Sequence, residues 1–232
     1  MANATLAILI VLTSHQKLGD TNEQTGFWLE EFTTPYYAFL DTGISVTLAT
    51  PLGGQAPIDP RSLADDAQTD STKRFNQDQA SANALANTKK LSEVSATHFD
   101  AIFYPGGHGP LWDLVSDKKS IALIESFWSQ GKPVSAVCHA PAALLNAKDE
   151  HGKLIINGKN VAGFTNSEEH AVGLTEIVPL LLEDALIANG ANYSKSDDFQ
   201  PHVVVDGMLV TGQNPASAYG VAAAVIELIK NK

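Results

Sequence analysis

The chain carries one cysteine in 232 residues, Cys138, and its address makes it chemically interesting. It stands where the apolar run 133–137 gives way to His139-Ala140-Pro141 and a helical stretch, so its sulfur would lie over strand ends at a helix N-terminus. A helix dipole and nearby backbone N–H groups favour thiolate over thiol, and the same strand-turn-helix geometry exposes a hydrolase nucleophile above its sheet. By count alone a lone cysteine reads as buried and inert; the position turns the reading toward a nucleophile. A second run, Pro105-Gly106-Gly107-His108-Gly109, follows another apolar segment. Small residues there let backbone amides approach a ligand closely enough to bind a developing oxyanion, although a glycine-rich loop alone is as readily a tight turn and this one matches no nucleotide fingerprint. His108 reads either as a pocket residue or as a solvent-facing one. His15, His98, His151, His170 and His202 show no ligand spacing, so no metal site is expected and surface or capping roles are assigned to them.

Holding two such loops side by side requires a parallel sheet. Residues 5–13 form a continuous apolar run, the pattern of a strand buried on both faces. Apolar residues at helical spacing over 25–42 predict a helix that Pro35 should kink or split. A strand follows at 45–50, and then a Pro/Gly/Asp/Gln-rich insertion at 51–78, too long for an ordinary connection and expected to cover something. Residues 79–92 predict a helix, 100–104 a strand, 118–130 a helix ended by Gly131, 133–137 a strand and 141–147 a helix. Asn157-Gly158 predicts a hairpin within 154–164, and Asp206-Gly207 another within 203–210. Helices are expected at 178–189, closed by Gly190, and at 216–229, started by Asn214-Pro215. This alternation predicts one doubly wound α/β domain with ligands at the carboxyl ends of its strands.

Composition narrows the function. Hydrophobic residues at 44% and charged residues at 18% suit a folded globular chain and exclude disorder. Fifteen Lys+Arg against 26 Asp+Glu leave a net charge of −11, which repels phosphate backbones and argues against nucleic acid as a partner. The longest early apolar run, 6–12, is far short of the roughly 20 residues that span a bilayer. A single cysteine and a start without a basic leader point to the cytoplasm.

The segments 104–109 (YPGGHG), 136–141 (AVCHAP), 163–165 (GFT) followed by Glu168-Glu169, and 211–217 (TGQNPAS) occur in the order found in the ThiJ/PfpI superfamily, which the chain resembles over nearly its whole length. The resemblance is closest to the branch of cofactor-free glyoxalase III enzymes and stress chaperones. It implies an α/β, flavodoxin-like sandwich of the class I glutamine-amidotransferase type, a single domain over 1–232 with added hairpins and the 51–78 insertion near the site mouth. It further implies Cys138 as nucleophile, His139 as its adjacent histidine, and Glu169 as the third acid, with Glu168 the register rival. Glu31 matches the pocket carboxylate, because the spacings from Gly26 and to Pro35 are preserved. Without the resemblance, Glu30-Glu31 is an ordinary solvated helix face.

Backbone amides of Gly107 and His139 are then candidates for an oxyanion, with His108 beside them. One departure is Ala140, where several relatives carry Gly; its methyl group either narrows access or tightens packing. The implied activity is conversion of 2-oxoaldehydes such as methylglyoxal to 2-hydroxy acids, without glutathione, metal or other cofactor, by a homodimer. A cysteine hydrolase (deglycase, amidase or peptidase) and a holdase chaperone are the alternatives.

Overall fold

A computed structural model describes residues 5–231; the reading of residues 1–4 as lacking a leader lies outside the described residues. The elements are β1 (Ala7–Val11), α1 (Leu29–Asp41), β2 (Ser45–Thr50), α2 (Asp70–Phe75), α3 (Gln79–Ala86), β3 (Lys89–Lys90), β4 (Ala101–Tyr104), α4 (Lys118–Ser129), β5 (Val134–Val137), β6 (Asn160–Val161), α5 (Asn166–Ala171), α6 (Leu182–Ala188), β7 (Asn192–Tyr193), β8 (Val203–Asp206), β9 (Leu209–Gly212) and α7 (Ala218–Lys230). Seven strands form one sheet in the order β3-β2-β1-β4-β5-β9-β8, parallel except for the β8 edge. No helix among the described residues is long and apolar enough to cross a membrane.

The strand order reverses between β1 and β4. From β1 the chain crosses to β2 on one side, and from β4 to β5 on the other. Right-handed crossovers therefore put α1 and α4 on opposite faces, and α1 packs against α7. With both faces covered, β4, β5 and β9 are buried along their whole length, which is why β4 reads as an apolar run and β5 is broken only by Ser135. The loops after β4 and β5 emerge side by side at the reversal, where doubly wound sheets bind ligands.

Several elements differ from their sequence patterns. The helix expected over 25–42 starts only at Leu29 and runs unbroken across Pro35, whose missing N–H costs one bond that tertiary packing offsets. Residues 25–28 are instead an extended lead-in, tied by Phe27 N–H to Pro57 O and by Trp28 N–H to Gly106 O, both at 3.0 Å. The helix expected over 79–92 stops at Ala86, and Lys89–Lys90 adds an edge strand. At 141–147 there is only a short 3-10 turn, Ala140–Leu144.

Asn157-Gly158 makes a turn, with Gly158 at φ 76°, but no hairpin: β6 pairs in parallel with the distant β7. Pro179 bars regular helix from the start of 178–189, and α6 begins at Leu182. The hairpin around Asp206-Gly207 and the end of α4 at Gly131 follow their turn signals. The 51–78 insertion folds into 3-10 turns at Pro60–Leu63 and Asp65–Ala67, followed by α2.

Candidate active site

Cys138 is the last turn of chain between β5 and the 3-10 segment, and its φ of 60° is one that a non-glycine residue rarely adopts. Three bonds over-determine it. Its N–H donates to Gly212 O of β9 at 3.0 Å, its carbonyl accepts from Phe164 N–H at 2.8 Å, and its Sγ lies 3.2 Å from His139 Nδ1. The strained elbow points the sulfur into a cavity of about 210 Å³, roughly seven water volumes. The cavity walls are Glu31, His108, His139, Arg61 and the apolar faces of Trp28, Phe164, Phe199 and Val172.

The glycine loop fits because it lacks side chains. A Cβ on Gly106 would meet Glu31 Oε2 at 2.5 Å and Cys138 Cβ at 2.8 Å, and one on Gly107, at φ 92°, would meet Trp28 N at 2.5 Å. Loop, elbow and the lead-in to α1 are therefore pressed into one another. Gly106 N–H donates to Glu31 Oε2 at 2.8 Å, and Gly107 N–H faces the sulfur. Ala140 is fully buried and lies off the cavity wall, so its methyl group serves packing behind the elbow.

Two glutamates that the sequence leaves undistinguished separate here. Glu169 Oε2 accepts from His139 Nε2–H at 2.7 Å, and its Oε1 accepts from His108 Nε2–H at 2.8 Å. Glu168, fully buried beside it, closes the capping box of α5 with Thr165 and binds Phe199 N–H, Gln213 Nε2 and Asn214 Nδ2. Glu169 alone reaches His139; Glu168 ties the loops around the site. Likewise Glu31 points inward with no exposure, while Glu30 lines an outer groove.

The electrostatics are opposed across the sulfur. Burial pushes Glu31 well above the carboxylate range, leaving it protonated, with Oε1 buried and lacking a well-formed partner. Burial and the Glu31 carboxyl also push Cys138 well above an ordinary thiol, countered by the Gly107 amide. Burial and the Glu31 carboxyl thus work against the thiolate that a helix N-terminus was expected to favour. A five-residue 3-10 turn has little dipole, and desolvation outweighs it. Glu169 is held in the opposite direction: although burial raises it, the two histidines bring it far below the usual range. His108 is lowered to about 4 by burial and the nearby His139 and Arg61, and is neutral.

The 51–78 insertion supplies residues that no sequence motif marked. Arg61 Nη2 lies 3.1 Å from His108 Nδ1, and its guanidinium forks onto buried Asp59, which also accepts from Thr25 Oγ1 at 2.9 Å. Phe199, the other positive-φ non-glycine residue among the described residues (59°), lines the cavity as well. One signal was available nearby: Thr165-x-x-Glu168 is a capping box and announced α5.

His108, His139 and Glu169 bring ligand atoms within 4.8 Å of one another. Their protons oppose a shared ion. A cation on Nε2 of His108 would leave the proton on Nδ1, donor against donor with Arg61. The set suits proton transfer rather than metal binding.

A mostly parallel sheet with a strained cysteine elbow beside a buried His-Glu pair defines an α/β protein of the glutamine-amidotransferase-like class. Residues 24–228 match the DJ-1/PfpI family model, and the chain belongs to that family. It is 31% identical over 233 residues to glutathione-independent glyoxalase HSP31 of Saccharomyces cerevisiae, covering 97% of this chain and 98% of that one. The crystal structure of glyoxalase III from Candida albicans superimposes with a TM-score of 0.89 at 30% identity, covering 96% and 97%. The Francisella tularensis Rapid Encystment Protein superimposes at 0.93 with 38% identity, covering 97% and 99%.

Proposed function

We propose that the protein is a glutathione-independent glyoxalase that converts methylglyoxal and related 2-oxoaldehydes into 2-hydroxy acids, needing no metal or cofactor. The observation that carries this reading is the sulfur of Cys138 in a mostly apolar cavity, between a protonated carboxyl, Glu31, and a histidine backed by an ionised one, Glu169. Relatives named as glyoxalases over nearly the full chain support it.

The chemistry balances on these groups. As the sulfur bonds to the aldehyde carbon, the thiol proton passes to His139 Nδ1 and Glu31 gives its proton to the aldehyde oxygen, leaving a hemithioacetal. Glu31, now a carboxylate, takes the proton from C1, and the enediolate is reprotonated by it at C2, while the hydroxyl proton shifts from the C1 to the C2 oxygen. C1 is oxidised and C2 reduced, so no external oxidant enters. Glu31 takes one proton from the water that adds to the resulting thioester, the C–S bond breaks, His139 returns its proton to sulfur, and the 2-hydroxy acid leaves with the second water proton on its carboxyl. Amides of Gly107 and His139 are assigned to the oxyanion. A cytoplasmic homodimer completes the proposal, tested by size-exclusion chromatography with light scattering.

The test is purified protein with methylglyoxal in thiol-free buffer, measuring lactate. Lactate is expected with or without EDTA, and none with Cys138→Ala. Absence of lactate from the unaltered protein overturns the reading.

A further inference from the structure

The donors and acceptors from the 51–78 insertion to the sulfur form one directed chain, and its direction is decided at the far end. Arginine can only donate. Arg61 Nη2–H therefore makes His108 Nδ1 an acceptor at 3.1 Å, so the proton of neutral His108 sits on Nε2 and donates to Glu169 Oε1 at 2.8 Å. Ionised Glu169 accepts on both oxygens, so His139 also carries its proton on Nε2, at 2.7 Å. His139 Nδ1 is left as the acceptor that faces Cys138 Sγ at 3.2 Å. Arg61 is itself aimed by the fork onto buried Asp59, whose Oδ1 takes Arg61 Nε–H at 3.0 Å.

We infer that Arg61 is a positioning residue for the cysteine chemistry: by donating to His108 it keeps that histidine neutral and reserves the Glu169 carboxylate for the His139 imidazolium. The inference rests on the proposed glyoxalase reading only for its kinetic readout. The reason is competition. His108 and His139 lie with ring centroids 4.0 Å apart and share one carboxylate. Should His108 take a proton, it becomes the stronger partner of Glu169, and its charge opposes a second cation on His139. The ionisable groups bearing on the histidine pair are Glu169 from α5, Cys138 beside His139, and Arg61 with its partner Asp59 from the insertion; Glu31 bears on the pair through the sulfur, and Glu23 bears on Arg61. Among the described residues, only Arg61 combines a positive charge with a donor aimed at His108 Nδ1.

Three variants test this. Arg61→Met removes donor and charge, Arg61→Lys keeps both, and His108→Gln keeps an acceptor for Arg61 and a donor for Glu169 but cannot be protonated. The side chain of Arg61 is one-third exposed, and equal melting temperatures show that the fold survives. Histidine side-chain ¹⁵N spectra are expected to show His108 neutral and protonated at Nε2 down to about pH 5 in the unaltered protein and in Arg61→Lys. In Arg61→Met it should titrate at a higher pH than in the unaltered protein, because the opposing charge and the donor to Nδ1 are both gone, while burial and His139 still hold it below the ordinary value.

With methylglyoxal, kcat of Arg61→Met relative to the unaltered protein should fall from about pH 8 toward about pH 5 in step with that titration. Arg61→Met/His108→Gln should lose that acid-side fall. Alkylation of Cys138 by iodoacetamide, which needs no aldehyde turnover, should show the same pH pattern, so a wrong substrate and a wrong relay are distinguishable. A His108 that titrates in Arg61→Met as it does in the unaltered protein, or a loss equal at all pH values, overturns the inference.

Discussion

Glu31 and Glu169 flank the same cysteine and histidine, yet their surroundings drive them apart. Glu31 enters from α1 into an apolar niche with one amide donor and one orphaned oxygen, and burial keeps it protonated. Glu169 enters from α5 and accepts from two histidines, which keep it ionised. One residue type thus supplies a proton donor on the sulfur side and a charge on the histidine side, because hydrogen-bond supply rather than burial alone decides the protonation state.

The largest effect that would break this comparison is Glu31→Gln. It retains the shape and the Gly106 bond but has no proton to give, and turnover should fall about 10²- to 10⁴-fold. Glu30→Gln, one residue away on the outer groove, should change turnover less than about twofold, since it faces no reacting atom. Equal effects in a lactate assay would place the proton donor elsewhere.

Glu169→Gln comes next. An amide offers one of its two histidines a donor instead of an acceptor, so His139 loses its tautomer, and kcat should drop about 10²-fold or more. Stopped-flow alkylation of Cys138 should slow with it. Glu168→Gln, by contrast, disturbs the ties to Phe199, Gln213 and Asn214; losing charge-assisted bonds should cost about 2 kcal/mol of stability in urea melts, more visibly than it costs turnover.

The last comparison sharpens the histidine side through pH. His108 is held at about 4 when folded, against about 6.5 unfolded. Between those values the unfolded chain binds a proton that the folded one refuses, so stability falls as pH drops through this window, by about 3 kcal/mol. Glu169, depressed in the fold, adds a further loss below the ordinary carboxylate value, while Glu31, raised in the fold, works in the opposite sense. Urea titrations of the unaltered protein and of His108→Gln should differ by the His108 share, and parallel curves would deny that His108 is buried neutral.

How much of this was legible in the sequence follows from the range of each interaction. Runs buried on both faces announced β1, β4 and β5, because burial of a parallel strand is written continuously into its residues. Asp206-Gly207 and Gly131 marked their turns through local backbone conformation. Asn157-Gly158 marked a turn but not its pairing, since the partner of β6 lies about thirty residues on, a distance local signals do not reach. Gly106 and Gly107 were visible as glycines, but what crowds them was not.

The sequence by itself determined the doubly wound sheet, the elbow at Cys138 and the adjacency of Cys138 and His139, because periodicity and chain neighbours settle these. Only the tertiary structure decided between Glu168 and Glu169, since one step along a short helix turns a carboxylate from His139 to the loop at Phe199. It alone brought Arg61 and Asp59 from an unpatterned insertion against His108. It also set burial and the Glu31 carboxyl against ionisation of Cys138, because desolvation and a neighbouring carboxyl depend on what surrounds a group in space, which no local spacing records.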